Sequence, residues 1–460
     1  MKLTIFDAGD GDCVLLKGND SETVLFDGGR KGSFRANTAP ALADIPRLDL
    51  VCVSHIDNDH IQGVLDLVDQ RMEQIRADFH SDHPTGEGNA NIKGPKHRPP
   101  EIGQFWYNSF PALTGGESSP VGTALAAQRQ ILASVYDDDG QPLPGHTAAA
   151  KGLKFSAADI SRNANLATGF FTGIELEKKL ASGVIAESVN EGFPNSLIQR
   201  TGREDEVPSA NIGGLALQVL GPSKAELTKF KKDWKEWVEE NPGRIASLEG
   251  EIGEWLLTSS TPRIVESARR SSLTPANLVS IIILAEQDGQ TALFTGDAHQ
   301  KDILDGLEAA GRLDQGPDDS DKAGHLNVVK IQHHGSPNNL DRDFAVRVTA
   351  DHYLFCGNGS HRNPSAQVLD HIIDSRVAAQ GSTKRATTEQ TDDRFHLWFT
   401  GHPDRVNSAS RKEHLGGLLE HVKSRIDEHP ERFGATVLRG ADSAELDPSK
   451  RIQVGSIREL

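Results

Sequence analysis

Four side chains that can bind metal ions lie within six consecutive positions near the amino terminus. They are His55, Asp57, Asp59 and His60. An apolar run at residues 48–54 predicts a buried strand before them, and a helical pattern begins at Ile61. In an extended loop alternate residues project to opposite sides, so the first two side chains can face one ion and the last two another. The alternative is a solvated turn with helix-capping aspartates, but two histidines and two aspartates so close together favour a metal site.

Further side chains with metal-binding or phosphate-binding chemistry occur in three later segments. They are Asp297 in FTGD, His333, His334 and Ser336 in KIQHHGS, and His361 and Arg362 in GSHRNP. Taken alone, a strand-end aspartate is a common turn residue and a histidine pair is commonly structural. His361 can donate a proton to a leaving oxygen, contact a phosphate or orient another side chain, or it can sit in a plain surface turn. Ser336 and Arg362 can each bind a phosphate oxygen, although an arginine near a site is often only solvated.

The order of these segments resembles that of the metallo-β-lactamase fold. Residues 55–60 are similar to its HxHxDH metal signature, in the HxDxDH variant of hydrolases that resemble the nuclease-like domain of ComEC/Rec2 competence proteins. The other similar segments are DAGDGD at 7–12, LFDGG at 25–29, FTGD at 294–297, KIQHHGS at 330–336 and GSHRNP at 359–364. The resemblance implies an α/β fold, a metallo-β-lactamase-like αββα sandwich with large helical insertions.

The resemblance also implies two divalent metal ions with defined ligands. The ligands would be His55 and Asp57 for the first ion, Asp59, His60 and one of His333 and His334 for the second, and Asp297 between the two. A hydroxide held between two ions about 3.5–4 Å apart would be the nucleophile. The resemblance makes Asp59 and His361 catalytic residues, and Ser336, His361 and Arg362 substrate-binding residues. The metals would be zinc or manganese, with magnesium as a further candidate. Asp57 in place of the usual histidine favours Mn²⁺ or Mg²⁺ at the first site more than a three-histidine zinc site would.

The sequence departs from this family at one metal ligand. The family commonly has a histidine in a segment that reads VLHP, where residues 219–222 read VLGP. Gly221 has no side chain that could bind a metal, so the first site keeps only His55, Asp57 and Asp297. Water or an insertion residue fills this position, or the first ion is bound weakly.

Alternating strand and helix patterns support an α/β core that carries these segments. Short β-type runs at residues 2–6 and 23–26 each end at an aspartate. The segment QDGQ at 287–290 predicts a hairpin turn between two strands, because Asp-Gly favours such turns.

The core is expected to form one hydrolase domain over residues 1–376. Segments at about 72–210 and 222–275 predict insertions into it, since they are too long for plain loops. Residues 377–460 are expected to be a C-terminal extension of unclear fold, with one helix at 412–429.

The composition narrows the class of protein. Among 460 residues, 49 basic and 66 acidic side chains give a net charge of −17, which argues against a protein that coats nucleic acid. No apolar stretch approaches the roughly 20 residues of a membrane span and no secretory signal is visible, so no membrane contact is expected. Three widely spaced cysteines, Cys13, Cys52 and Cys356, form neither a disulfide framework nor a zinc ribbon, which favours the cytoplasm.

These patterns favour a metal-dependent hydrolase that cleaves phosphodiester bonds in nucleic acid or nucleotides. The phosphodiester assignment depends mainly on the resemblance, because this fold hosts several hydrolytic chemistries. Hydrolysis of a small ester, lactone or phosphoester is an alternative that the acidic balance supports. A third hypothesis is a degenerate, non-catalytic member that binds a protein partner through its insertions. Gly221 supports that hypothesis, and the retained metal-binding residues oppose it.

Overall fold

A computed structural model describes most of the chain. The described ranges are 1–82, 93–109, 112–113, 172–173, 175–201, 207–240, 279–313 and 323–460. Much of the two expected insertions, at 72–210 and 222–275, lies outside these ranges, and helices expected in those parts stay predictions.

The described residues form sixteen strands and eight labelled helices. The strands are β1 (Lys2–Phe6), β2 (Val14–Lys17), β3 (Thr23–Phe26), β4 (Arg47–Cys52), β5 (Glu101–Trp106), β6 (Ala186–Val189), β7 (Ser209–Ile212), β8 (Leu215–Gly221), β9 (Ile282–Gln287), β10 (Gln290–Phe294), β11 (Gly324–Lys330), β12 (Val348–Phe355), β13 (Phe395–Phe399), β14 (Phe433–Val437), β15 (Ser443–Leu446) and β16 (Ile457–Glu459). The helices are α1 (Lys31–Ser33), α2 (Ala39–Leu42), α3 (Asn58–Asp82), α4 (Lys224–Glu240), α5 (Gln300–Ala309), α6 (Arg342–Arg347), α7 (Ala366–Val377) and α8 (Ala409–Glu428).

The strands form two sheets. The first has seven strands in the order β15-β1-β2-β3-β4-β5-β6, and the second has nine in the order β16-β14-β13-β12-β11-β10-β9-β8-β7. In the first sheet β3, β4, β5 and β6 are parallel. In the second sheet the parallel block runs from β10 through β14 to β16. Each sheet therefore combines an antiparallel part with a parallel part.

Apolar side chains pack the two sheets face to face. In β8 the buried residues Leu215, Leu217 and Val219 alternate with more exposed ones and face the first sheet, as the two-residue period of a strand requires. The rings of Phe26 and Phe294 stack across the interface with centroids 3.7 Å apart. This inter-sheet core is the central layer of the molecule.

Helices cover the outer face of each sheet. Helix α3 packs on the first sheet through Ile61, Val64 and Val68, on the face that the apolar spacing predicts. Helices α5 to α8 cover the second sheet with a separate buried cluster that includes Ile303, Phe344 and other apolar side chains. The four layers are helix, sheet, sheet and helix, so the expected αββα sandwich is confirmed.

Residues after 376 are part of this sandwich and correct the expectation of an extension of unclear fold. β13 pairs with β12 in parallel, and β14 and β16 continue the second sheet. β15 crosses to the first sheet, where Leu446 lies opposite Leu3 on β1. The expected insertion at 72–210 likewise contributes β5 and β6 to the first sheet.

In the described part of the chain, no helix is both long enough and apolar enough to cross a membrane.

Candidate metal centre

The candidate site lies where parallel strands of both sheets end. Asp27 follows β3, His55 comes shortly after β4, Asp297 after β10 and His333 after β11. Because the carboxyl ends of parallel strands share one edge of a sheet, side chains that are far apart in sequence meet there. The facing arrangement of the two sheets brings both edges to the same place.

Asp297 lies at the centre of this group, surrounded by four histidine rings. Its Oδ1 is 3.3 Å from His60 Nε2. Its Oδ2 is 3.8 Å from His55 Nε2 and 3.7 Å from the Nε2 atoms of both His333 and His334. Asp297 is 2% exposed, so these contacts are shielded from solvent. A carboxylate between histidines on both sides has the placement of a bridging ligand.

The two aspartates of the amino-terminal block join the same group. Asp57 Oδ2 is 3.8 Å from His55 Nε2, and Asp59 Oδ2 is 3.3 Å from His334 Nε2. Helix α3 begins at Asn58, between the two aspartates and three residues earlier than the helical pattern at Ile61 suggested. The structure thus brings together all seven side chains expected to be metal ligands.

Every histidine of the group presents the same ring atom, Nε2, to Asp297. Its other nitrogen, Nδ1, has a hydrogen-bond partner on the opposite side: Ser54 Oγ at 3.0 Å for His55, Asp27 Oδ2 at 2.9 Å for His60, Asn339 Oδ1 at 2.7 Å for His333 and Cys356 O at 3.0 Å for His334. Carboxylate and carbonyl oxygens only accept, so Nδ1 carries the proton in His60, His333 and His334. The Ser54 hydroxyl donates to Asp27 Oδ2 at 2.7 Å, so it accepts from His55 Nδ1. In a neutral ring Nε2 then keeps its lone pair, as in a histidine oriented to bind a metal.

A glycine allows Asp27 to reach His60. The Gly28 N–H donates to the His60 carbonyl at 2.8 Å, which joins the end of β3 to the first turn of α3. A Cβ at Gly28 would lie 2.4 Å from the backbone nitrogen of Val64. A larger residue would therefore push the loop, and Asp27 with it, away from the histidine.

Several loop residues of the site have left-handed backbone conformations. Their φ angles are 46° for His333, 56° for His334, 53° for His361 and 62° for Arg362. Such conformations cost of order 1–3 kcal/mol each in non-glycine residues and cluster at functional sites. These two loops are therefore held by their surroundings in conformations that local sequence does not favour.

A buried ion pair that the sequence analysis did not assign adjoins the metal-binding group. Lys330 forms an ion pair with Asp12, donates to the Gly296 carbonyl at 2.9 Å and lies 3.9 Å from Asp297 Oδ1. Burial would lower the pKa of Lys330, but Asp12 and Asp297 outweigh it and raise the pKa above its usual value. Lys330 is therefore a fixed positive charge at the base of the group.

Negative charge also controls protonation of the histidines. Burial lowers the pKa of a histidine, but around His60 the carboxylates led by Asp297 outweigh it and raise the pKa well above 6.5. For His334 the same balance raises the pKa to about 10. Burial and the neighbouring His60 instead lower the pKa of His55 to about 3. Without other cations, the group binds protons to offset its charge.

The charge balance of the group fits two divalent cations. Its carboxylates are Asp12, Asp27, Asp57, Asp59 and Asp297, all buried or nearly so. Burial would raise the pKa of such groups, yet Lys330 and the histidines hold those of Asp12, Asp59 and Asp297 below 3.8. Five carboxylates and one ammonium leave four negative charges, which two divalent ions balance when the histidines are neutral.

The donor atoms suit such ions as well. Asp12, His60, Asp297 and His334 each offer one atom within 4.8 Å of the others. No hydrogen bond forms at the buried Nε2 atoms of His55 and His60 within the described residues. Imidazole nitrogen with carboxylate oxygen is a ligand set for zinc or manganese. The residues present therefore fit a metal centre.

The end of the Ile282 side chain lies against position 221. A Cβ at Gly221 would lie 2.6 Å from Ile282 Cδ1, inside the apolar packing of β8 against β9. The ligand that the family commonly places there has no counterpart at this position.

An open cleft of about 1040 Å³ leads to the group. Its lining includes Asp57, Asp59, Asp297, His333 and His334, together with the three expected substrate contacts Ser336, His361 and Arg362. Ser336 is buried, whereas His361 and Arg362 are exposed. All three thus lie on the same cleft as the metal-binding side chains. Beside them, Asp10 is paired with Arg30 through contacts of 2.7 and 2.9 Å.

Comparison with known families agrees with this geometry. The model described as the metallo-beta-lactamase superfamily matches residues 6–91, from the end of β1 beyond α3. The fold is metallo-β-lactamase-like. No curated protein matches the chain. The match includes the block at residues 55–60, whereas Asp297, His333 and His334 lie beyond it. The structure places them against that block, with Asp297 3.3 Å from His60 and His334 3.3 Å from Asp59.

Sequence reasoning missed the residues that support the metal-binding group. They are Asp12, Asp27, Lys330 and Asn339. The first three lie inside segments on which the resemblance was based, namely DAGDGD, LFDGG and KIQHHGS. Their presence in these segments was the signal that could have identified them. Asn339 lies outside those segments, and its role depends on a loop conformation that only the structure gives.

Proposed function

We propose that this protein is a divalent-metal-dependent hydrolase that cleaves phosphodiester bonds in nucleotides or nucleic acid. The observation that carries the proposal is the convergence of four histidine Nε2 atoms on Asp297, within a group whose net charge matches two divalent cations. The open cleft beside this group offers access to a substrate. The similarity of the sequence motifs to ComEC/Rec2 competence proteins supports the phosphodiester part.

Each ion would have its own ligand set around the shared Asp297. We assign His334 to the second ion, with Asp59 and His60, because its Nε2 lies 3.3 Å from Asp59 Oδ2. Asp297 is the only described carboxylate within 4 Å of the His333 ring nitrogens.

His333 is then available to the first ion. There it would join His55 and Asp57, and it would take the role that Gly221 leaves vacant. His55, His333 and His334 all approach Asp297 Oδ2, at 3.8, 3.7 and 3.7 Å, and the contact of His334 with Asp59 at 3.3 Å is what separates it from the other two.

The ions would supply a nucleophile at neutral pH by lowering the pKa of water, and would act as Lewis acids on the phosphoryl group. The chain's own groups orient the reactants. Asp27, Asn339 and the Cys356 carbonyl fix three histidine rings. Ser336 and Arg362 line the cleft where they can bind phosphate oxygens, and His361 lies beside them as the candidate proton donor to the leaving oxygen.

The test compares metal content and hydrolysis in wild type and two aspartate variants. Wild type should hold two divalent ions per chain by elemental analysis and should hydrolyse bis-p-nitrophenyl phosphate with added Mn²⁺, Zn²⁺ or Mg²⁺. Asp297→Asn should weaken metal affinity by at least about 100-fold, because its loss removes a ligand from both ions. Asp305→Asn on the exposed side of α5 is the matched control. Metal content and activity that are the same in all three proteins would contradict the proposal.

A second candidate is hydrolysis of a small ester or lactone. Among the described residues that line the cleft, Arg362 is the only lysine or arginine. A long nucleic acid strand usually meets several basic side chains, so this lining favours a small substrate. Activity on p-nitrophenyl acetate or a lactone, with none on phosphodiesters, would select this candidate.

A further inference from the structure

Helix α8 forms one wall of the cleft that leads to the metal-binding group. Its contribution is a row of residues with helical spacing: Ser410, Glu413, His414, Gly417 and Leu418. Intervals of three and four residues place all of them on one face of the helix. This segment lies in the region after residue 376, which the sequence predicted to be an extension of unclear fold.

The helix is fixed to the loop that carries His361. His414 Nε2 donates to the Pro364 carbonyl at 3.0 Å. A Cβ at Gly359 would lie 3.1 Å from Leu415 Cγ, so the loop and the helix are in close contact there. The wall therefore has a defined position relative to the proposed substrate contacts.

Two parts of the cleft lining differ in charge. The loops after β11 and β12 contribute Ser336 and Arg362, and with the ions that the proposed function requires these groups favour a phosphate. Helix α8 contributes the exposed carboxylate of Glu413 and the hydroxyl of Ser410, which accept hydrogen bonds. A carboxylate repels a second phosphate and favours hydroxyl or amino donors.

We infer that α8 selects the substrate, and that the substrate is a phosphodiester with an uncharged, donor-bearing group, such as a nucleoside, that contacts α8. This inference rests on the proposed function. The remaining lining of the cleft is consistent with it, since asparagine and serine side chains predominate over apolar ones. A volume of about 1040 Å³ is at the upper end of small-molecule sites and suits a substrate of this size.

Two adjacent glycines provide a matched test of the wall. A Cβ at either Gly416 or Gly417 meets no atom within 4 Å, but only Gly417 lines the cleft. Gly417→Leu should lower kcat/KM for the dinucleotide adenylyl(3′–5′)adenosine by at least about tenfold and leave bis-p-nitrophenyl phosphate within about twofold. Gly416→Leu should leave both substrates unchanged. Equal effects of the two variants would overturn the inference.

Glu413 tests the charge selection independently. Wild type should prefer adenylyl(3′–5′)adenosine over the same dinucleotide with a 5′-phosphate, and Glu413→Gln should reduce that preference by about fivefold. Glu420→Gln, an exposed change on the same helix outside the cleft lining, should leave the preference unaltered. An unchanged preference in Glu413→Gln would overturn the charge selection.

Binding separates failure of this inference from failure of the proposed function. If wild type hydrolyses no phosphodiester, the proposed function is wrong. The affinity for adenylyl(3′–5′)adenosine, measured by calorimetry, then decides whether α8 selects the ligand. Weaker binding in Gly417→Leu than in Gly416→Leu supports the inference. Absent binding, or equal affinities in the two variants, overturns it.

Discussion

Asn339 shows how a side chain outside the ligand set can position the ligands. Its Oδ1 accepts from His333 Nδ1 at 2.7 Å, and its Nδ2 donates to the carbonyls of Asp297 and Ala298 at 3.0 and 3.3 Å. One buried amide thus connects the loop after β11 to the end of β10. It holds the His333 ring in the orientation that presents Nε2 to Asp297.

Replacing Asn339 should weaken metal binding more than it weakens the fold. In Asn339→Ala the His333 ring loses its partner, and partners of this kind are typically worth about 10–100-fold in metal affinity. The dissociation constants for Mn²⁺ and Zn²⁺, measured by competition with a chelating dye, should rise by that factor. Asn338→Ala is the control, because Asn338 is exposed and hydrogen-bonds only within its own loop. If both variants bind metal as wild type does, His333 needs no orienting partner or is not a ligand.

At the residue scale the sequence predicted the groups with metal-binding chemistry but not their partners. His55, Asp57, Asp59 and His60 are close in the chain, so their spacing alone indicates a shared site. The pair of Asp12 with Lys330 joins opposite sheets, and no local pattern encodes such a contact. Partners of this kind depend on how the two sheets pack.

At the scale of elements, local signals were reliable where they act through backbone conformation. The hairpin between β9 and β10 forms at residues 287–290 as predicted, with Asp288 at φ 52° and Gly289 at φ 76°. Both angles are positive, as the favoured two-residue hairpin turn requires. Strands β13 and β14 were missed, because they are short and their pairing partners are not adjacent in sequence.

Two adjacent strands contain a pair of buried histidines that the proposed chemistry does not use. His352 on β12 lies opposite His396 on β13, with ring centroids 6.4 Å apart. Burial, with the neighbouring His396, lowers the pKa of His352 to about 4. Burial, with Arg458, lowers that of His396 to about 4 as well. Trp398 Nε1 donates to His352 Nδ1 at 3.2 Å, which requires an unprotonated nitrogen.

This pair should make the protein sensitive to acid. Both pKa values lie below the usual 6.5, so the unfolded chain binds more protons between about pH 6.5 and 4. The stability that the neutral rings contribute is complete above pH 6.5 and is lost as the pH falls through 4. One such shift corresponds to at most about 3 kcal/mol.

The measurement is urea unfolding at several pH values. His352→Gln keeps an acceptor for Trp398 and should reduce the loss of unfolding free energy between pH 6.5 and 4. His371→Gln, a change of the same type on α7 away from this pair, should leave the acid dependence as in wild type. An acid dependence that is the same in all three proteins would show that His352 titrates normally.

At the scale of the whole molecule, the last eighty residues complete both sheets. Arg405 joins the two ends of the chain, since its guanidinium contacts Asp7 at 2.6 Å and Asp442 at 2.9 Å. The sequence could not predict this closure. β15, which pairs with β1, is nearly the whole chain away from it and only four residues long. Contacts of such sequence separation are set by the global topology.

The closure predicts that a substitution near the carboxyl terminus destabilises the entire protein. Leu446 on β15 is 1% exposed and packs between the sheets opposite Leu3. Leu446→Ala should lower the free energy of unfolding by about 2–5 kcal/mol, the usual cost of a cavity at such a site. Glu445→Ala, on the exposed side of the same strand, should change it by less than about 0.5 kcal/mol. The fluorescence of the buried Trp106 on β5 should report the destabilisation. If residues 377–460 were a separate extension, Leu446→Ala would instead leave the unfolding of the metal-binding core unchanged.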